Sequence, residues 1–299
     1  RASEHRAKPV GKRYGAPPRV RMVTRRAAAT MPSHSPVIVI EACRAMATQF
    51  EFLLWGEDEG HLRSAAREGL EEVRRIHWQL SLFEPGSDVA EINRTAAIGP
   101  VRTDPRLIAL IDRCRELQRL PDGAFDITIG SLMRRLGFRG SDEETPNSVV
   151  GMQHVITDAE KNTVSFDCEG MELDLGAIGK GYALDMSADI LRECRVGGAL
   201  LHGGTSSVLA IGTDPQGEPW RVAIRDPLRA ESTLEIVQLC DGALGVSAPH
   251  GRTVTRGGTV MGHVLDPLSG RSASHLRVAA VACTSAADAD ALSTALLVR

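Results

Sequence analysis

Hydrophobic spacing along the chain switches repeatedly between a period of two and a period near 3.6. From Pro36, the stretch PVIVIEACRAMATQFEFLLWG is rich in β-branched residues and alternates apolar with polar, predicting two short strands on either side of Met46. EDEGHLRSAAREGLEEVRRIHWQLSLF then sets Leu62, Ala66, Leu70, Val73, Ile76 and Leu80 at helical spacing, one apolar stripe on an otherwise charged helix. DPRLIALIDRCRELQRL repeats that pattern with Leu107, Leu110, Ile111, Cys114 and Leu117, and Asp104 is placed to cap it. RGSDEETPNS reads as turns. HVITDAEKNTVSFDCEGMELDLG alternates like antiparallel strands around a polar turn. GYALDMSADILREC reads as a helix with Leu184, Ala188 and Leu191 inward. Strand and glycine-turn signals continue to SAPHG, and HLRVAAVACTS reads as a buried strand feeding an Ala-rich helix, TSAADADALSTALLVR. Helices and strands do not alternate strictly, so the pattern predicts an α+β fold rather than a doubly wound parallel sheet.

Charge sharpens this picture at one end. Residues 1–31 hold nine Lys/Arg against Glu4 alone, a balance of +8; the whole chain carries -3, which leaves -11 on the rest. The basic, Pro-rich start lacks periodicity and reads as a disordered arm over 1–36, followed by a single domain over 37–299. The acidic body argues against a nucleic-acid surface, which needs clustered cations. Cys43, Cys114, Cys168, Cys194, Cys240 and Cys283 stand singly with no CxxC, so they read as buried free thiols rather than a zinc or redox motif. No transmembrane segment is expected, because no run approaches about 18 apolar residues. No secretory signal or lipobox is visible, which favours the cytoplasm; an exported or anchored form stays open if the N-terminus is incomplete.

Three segments could carry chemistry. ELDLGAIGKGYALD surrounds Lys180 with Gly176, Gly179 and Gly181 at an expected strand-to-helix junction. Such glycines let backbone N–H groups approach a phosphate at a helix start. The spacing is neither a Walker loop nor a dinucleotide fingerprint, and a glycine turn with a solvated lysine explains it equally well. In the last helix, Asp290 and Thr294 are four residues apart and share a face. They suit a hard cation such as Mg²⁺, or Thr294 simply bonds back to the Asp290 carbonyl while Asp290 or Ser285 caps the helix. Asp288 points elsewhere, as a helix-start charge. His263, in GHVLDPLSG, is expected in a short strand just before an Asp-Pro turn, as a general base or a structural histidine.

Taken together and in order, DLGAIGKGYALD, HVLDPLSG and ADALSTAL resemble the ApbE family of FAD:protein FMN transferases. MATQF, LSLFEPGSDVAEIN and GAFDITIGSL resemble the family's upstream segments, so the likeness runs from about residue 43 to the end. It implies a single ApbE-like, T-fold-like domain with mixed or antiparallel sheets and packed helices. It also implies an enzyme that takes FAD and Mg²⁺, transfers FMN onto a Thr or Ser hydroxyl of an acceptor flavoprotein, and releases AMP. Position by position, Asp290, Thr294 and the carbonyl of Ala177 match metal ligands. Met46, Phe83, Ala124, Phe125, Asp126, Asp174 and Lys180 match FAD contacts, and His263 matches the residue that helps activate the incoming hydroxyl. The same chemistry with water would make an FAD pyrophosphatase; a silent flavin-binding protein is the third reading.

The chain departs from the family in places. Thr205 stands where an acid is usual, Ala47 where glycine is usual, and Phe83 where tyrosine is common. The family normally continues with a further element beyond the helix that ends here, so either the chain is a fragment truncated at the C-terminus or its helix end is unusually bare.

Overall fold

The computed structural model describes residues 36–120, 122–139, 148–249, 251, 253–256 and 259–299. The expected basic arm therefore lies outside the described residues except for Pro36, as does most of the turn-rich RGSDEETPNS.

The expected strands around Met46 form a long hairpin, β1 (Val37–Ala45) and β2 (Thr48–Gly56), in register from Val37 opposite Gly56 to Ala45 opposite Thr48. Its two turn residues, Met46 and Ala47, both have left-handed backbones (φ 49° and 58°), the geometry two-residue hairpins favour because its twist matches the strands. Helix α1 (Glu59–Leu80) starts at an Asp58 cap and buries the apolar stripe from Leu62 to Leu80. α2 (Asp88–Thr95) is capped by Ser87. β3 (Val101–Arg102) leads to α3 (Pro105–Arg119), whose N-cap is Asp104 with Pro105 in the first turn. After α4 (Gly130–Arg135), β4 (Val155–Asp158) and β5 (Thr163–Phe166) form the expected hairpin and, with β3, a small sheet in the order β3-β5-β4.

α5 (Gly179–Glu193) is followed by β6 (Gly198–Gly203), β7 (Ser207–Ile211), β8 (Trp220–Asp226), β9 (Arg229–Leu239) and β10 (Gly242–Ser247). The short pair β11 (Thr253–Arg256) and β12 (Thr259–Gly262) precedes β13 (Ala279–Cys283) and α6 (Ala286–Val298). The main sheet has six strands in the order β1-β2-β6-β7-β10-β13, every neighbouring pair antiparallel. The main core includes Phe50, Phe52 and Leu54 of β2 together with Leu70, Val73 and Ile76 of α1, Ala183 and Leu184 of α5, and Ala289 of α6. A second core joins Trp220, Val222, Ile224 and Leu239 of the β8–β9 hairpin to Val208, Ala210 and Leu244 of the sheet. This is the expected α+β class with antiparallel sheets. All six cysteines are free, but only Cys43 and Cys114 are buried as expected; Cys168, Cys194 and Cys283 are half-buried and Cys240 is exposed. No helix among the described residues is long and apolar enough to cross a membrane.

Three local expectations need correcting. MELDLG does not continue the β4–β5 ladder; Met171 and Glu172 make only single bridges. Its backbone is taken instead by the Asn93 side chain, which bonds the N–H and carbonyl of Leu173 (2.7 and 2.9 Å), and by Ile127, whose carbonyl accepts the Asp174 N–H. A side chain that satisfies both backbone groups of a residue competes with the ladder. β13 is a sheet edge and mostly half-buried rather than fully buried. His263 follows β12 rather than lying in it.

The Ala-rich helix α6 packs at close backbone range. A methyl group at Gly181 would lie 2.0 Å from the Ala286 carbonyl oxygen, and one at Gly245 of β10 would lie 2.3 Å from that of Ala289. Asp185 of α5 accepts the Ala286 and Ala287 N–H groups (2.8 and 2.9 Å) and the Ser285 hydroxyl (2.8 Å), stapling α5 to the start of α6. The positive end of α6 complements that carboxylate.

A side chain at Ala47 strains the hairpin turn, since a left-handed backbone costs a non-glycine residue about 1–2 kcal/mol, partly offset by the greater unfolded entropy of glycine. Ala47→Gly is expected to stabilise the protein by about 0.5–1 kcal/mol in chemical denaturation. An unchanged or lower midpoint would contradict the strained turn.

Candidate active site

The first turn of α5 and the middle of α6 face a cleft of about 740 Å³. Its walls come from the β1–β2 turn (Met46), the segment after α1 (Phe83), the loop before α4 (Ala124, Phe125, Asp126), the approach to α5 (Asp174, Ala177, Lys180), the residue after β12 (His263), and α6 (Asp290, Thr294). Every candidate site residue read from the sequence lines this one cavity.

Asp290 is 4% exposed, a carboxylate inside a core of alanines and leucines. The Gly181 N–H donates to its Oδ2 (2.8 Å), and the Ser207 hydroxyl reaches both oxygens (2.7 and 2.8 Å). The Lys180 ammonium stands 3.7 Å from Oδ2. Burial pushes the Asp290 carboxyl above the ordinary range, while Lys180 and the donors pull it back. Gly181 thus has two tasks. It lets α6 approach, and it turns an otherwise orphaned helix-start N–H onto the carboxylate that arrives.

Thr294 makes the structural contact that its spacing from Asp290 allows. Its hydroxyl donates to the Asp290 carbonyl at 3.0 Å, the back-bond that spacing alone allows, while the residue still lines the cleft. Donating its one proton leaves the oxygen's lone pairs free to accept; the Ser247 hydroxyl lies 3.1 Å away. Ser285 caps α6 by accepting the Asp288 N–H, and Asp288 pairs with Arg113 (2.6 and 3.0 Å), away from the cleft as expected.

Two more carboxylates line the cleft. Asp126 is buried, which raises its pKa, and accepts from the Thr128 N–H and hydroxyl and from Gln118. Asp174 accepts the Gly176 N–H (2.8 Å) and pairs with the Arg139 guanidinium. Met46 is held at the turn through its own N–H, which donates to His77 Nδ1 at 3.2 Å. Thr205 lies exposed in the turn between β6 and β7 and lines the cleft.

Sequence reasoning missed Ser207, Ser247, His77 and Arg139. Ser207 and Asp290 are 83 residues apart, and Arg139 is 35 from Asp174. No local period links such positions. The only signal was that HGGTSS places three hydroxyls directly after a glycine turn.

The donor set suits a hard divalent cation. Asp290 and Thr294 offer side-chain oxygens and Ala177 a main-chain carbonyl, with no soft ligand among them, as Mg²⁺ requires. A carboxylate has about four lone-pair sites, so the bonds from Ser207 and Gly181 do not exhaust Asp290.

An antiparallel α+β scaffold that gathers a glycine–lysine helix start and an oxygen-only acidic helix around one apolar cleft is built for a charged, partly aromatic ligand such as a nucleotide diphosphate. The ApbE family model matches residues 46–299, and the chain belongs to that family. Among its relatives, the FAD:protein FMN transferase of Vibrio cholerae is 28% identical over 239 residues, 76% of this chain and 70% of that protein. The protein of the same name from Rhodobacter capsulatus is 30% identical over 271 residues, 87% of this chain and 51% of its own length. In solved structures, the ApbE protein of Thermotoga maritima superposes with a TM-score of 0.78 at 28% identity, over 88% of this chain and 87% of that one. The apo flavinyl transferase ApbE of Pseudomonas stutzeri gives 0.74 at 26% identity, over 90% and 86%.

Lys180 is the nearest counter-charge to a buried carboxylate. In metal-free buffer, Lys180→Met is expected to cost about 1–3 kcal/mol of stability by leaving Asp290 uncompensated. Adding Asp290→Asn should recover most of that loss. Additive losses in the double variant would show the pair to be uncoupled.

Proposed function

We propose that this chain is a Mg²⁺-dependent FAD:protein FMN transferase, with FAD as substrate and a flavoprotein subunit or domain carrying a target Thr or Ser as acceptor. Family membership supports the reaction class. The observation that carries the residue assignment is the convergence of Lys180, Asp290, Thr294 and His263 on one cleft.

Phosphoryl-type transfer asks a protein mainly for positioning and for positive charge against the phosphate oxygens. Lys180 and the start of α5 hold the diphosphate; the glycines there keep the backbone close. Asp290, Thr294 and the Ala177 carbonyl would hold Mg²⁺, which would supply positive charge against the phosphate oxygens. Met46, Phe83, Ala124, Phe125, Asp126 and Asp174 hold the rest of the dinucleotide along the apolar wall. The acceptor hydroxyl oxygen bonds to the FMN-side phosphorus, the bond to the bridging oxygen breaks, and AMP leaves with that oxygen. His263 takes the hydroxyl proton as the new bond forms.

The same chemistry with water in place of the acceptor hydroxyl would give hydrolysis to FMN and AMP, and Thr205, in place of the usual acid, motivates flavin binding without turnover. Ser207, two residues on, already braces Asp290 through both carboxylate oxygens, which favours a working site.

Incubation with FAD, Mg²⁺ and a Thr-bearing acceptor peptide should leave flavin on the peptide through denaturing electrophoresis, with the mass of an added FMN. Free FMN without labelled peptide would establish hydrolysis, and intact FAD would establish binding alone. Asp290→Ala is expected to lower turnover at limiting Mg²⁺ by at least about 100-fold. His263→Ala should lower kcat by about 10²–10⁴-fold while FAD affinity holds. Normal turnover in either variant refutes its assigned role.

A further inference from the structure

We propose that Arg139, which no sequence motif singles out, is a specificity-determining residue of the cleft, and that it recognises the acceptor-bearing edge of a flat heteroaromatic ring of the dinucleotide. This rests on the proposal that FAD is the substrate. Its observations are separate from the metal helix.

The first is the state of Asp174. Its Oδ1 accepts the Gly176 N–H and its Oδ2 is covered by Arg139, with side-chain exposures of only 6% and 16% for the two partners. A carboxylate so engaged no longer presents a bare negative edge to a ligand. The outermost polar group at this corner is the guanidinium, a donor with no acceptor capacity.

Second, the Arg139 Nε–H is buried without a hydrogen-bond partner among the described residues. Buried donors are nearly always paired, and an orphan costs folding free energy unless something fills it. A small swing of the guanidinium into the cleft would bring this donor onto a ligand acceptor.

Third, the Arg139 Cζ lies 5.8 Å from the centre of the Phe83 ring, within cation–π range. Phe83 is 66% exposed. Its ring therefore supports the guanidinium and leaves aromatic surface against which a second flat group can pack. Met133, Phe138 and Leu265 supply apolar lining near by.

A planar donor fork, one donor unfilled, beside an exposed aromatic face matches a ring with carbonyl or ring-nitrogen acceptors on its edge. Both ring systems of FAD have such an edge. Lysine could keep the charge toward Asp174 but has neither the fork nor the Nε–H, so Arg139→Lys separates recognition from ion pairing.

The test is binding, read by flavin fluorescence for FAD and riboflavin and by competition for AMP. For Arg139→Lys we expect FAD affinity about 10-fold or more weaker than wild type, with the thermal midpoint unchanged and kcat at saturating FAD within about twofold. Phe83→Leu should weaken the same ligands without disturbing the Asp174 pair. Loss confined to riboflavin assigns Arg139 to the flavin, and loss confined to AMP assigns it to the adenine. Wild-type affinity for all three ligands in Arg139→Lys overturns the proposal, as does a loss of thermal stability with affinity intact. A wild-type chain that binds neither flavin sinks the transferase reading and this proposal with it.

Discussion

The structure turns on one buried carboxylate. Asp290 lies in an Ala- and Leu-rich helix, among Ala287, Ala289 and Ala291. Burying such a group without partners would be prohibitive. Everything nearby is arranged to make it tolerable. Ser207 from the neighbouring strand, the Gly181 N–H from the start of α5, and Lys180 each offer hydrogen or positive charge to the same two oxygens. Those compensations come from two elements, β7 and α5, so the carboxylate ties α6 to both as much as they hold it.

Close packing makes that arrangement possible. Helix α6 carries small side chains on its inward faces, and Gly181 and Gly245 leave no Cβ in its path. A bulkier interface would separate α5 and α6 by more than a hydrogen bond spans. Asp185, one turn further along α5, fixes the approach by collecting the free N–H groups at the start of α6. The strained β1–β2 turn belongs to the same design. Met46 and Ala47 accept an unfavourable backbone, and the reward is a turn residue held against α1 through His77 at the rim of the cleft.

The two sides of the cleft therefore differ in kind. One carries Lys180, Asp290 and Thr294, the charged and hydroxyl groups proposed to take a diphosphate and its cation. The other is an apolar wall whose acids, Asp126 and Asp174, are already satisfied by Gln118, Thr128 and Arg139. A dinucleotide with a charged middle and aromatic ends matches that division.

Local physics determined much of this chain. The helical stripe of α1, the Asp104 cap of α3 and the strands flanking Met46 follow from spacing and capping, interactions that reach only a few residues. The glycine–lysine run and the Asp290–Thr294 pair were legible as chemistry, yet each had a plain structural explanation until the order of six segments was considered together. Tertiary structure alone decided the rest. MELDLG alternates like a strand, but Asn93 satisfies its backbone from 80 residues away. Thr294 back-bonds to its own helix and also faces the cleft, a coexistence that spacing cannot express. Ser207, His77 and Arg139 acquire roles only through partners distant in sequence. A hydrogen bond depends on a few ångströms of separation in space, and the order of residues along the chain carries no such distance.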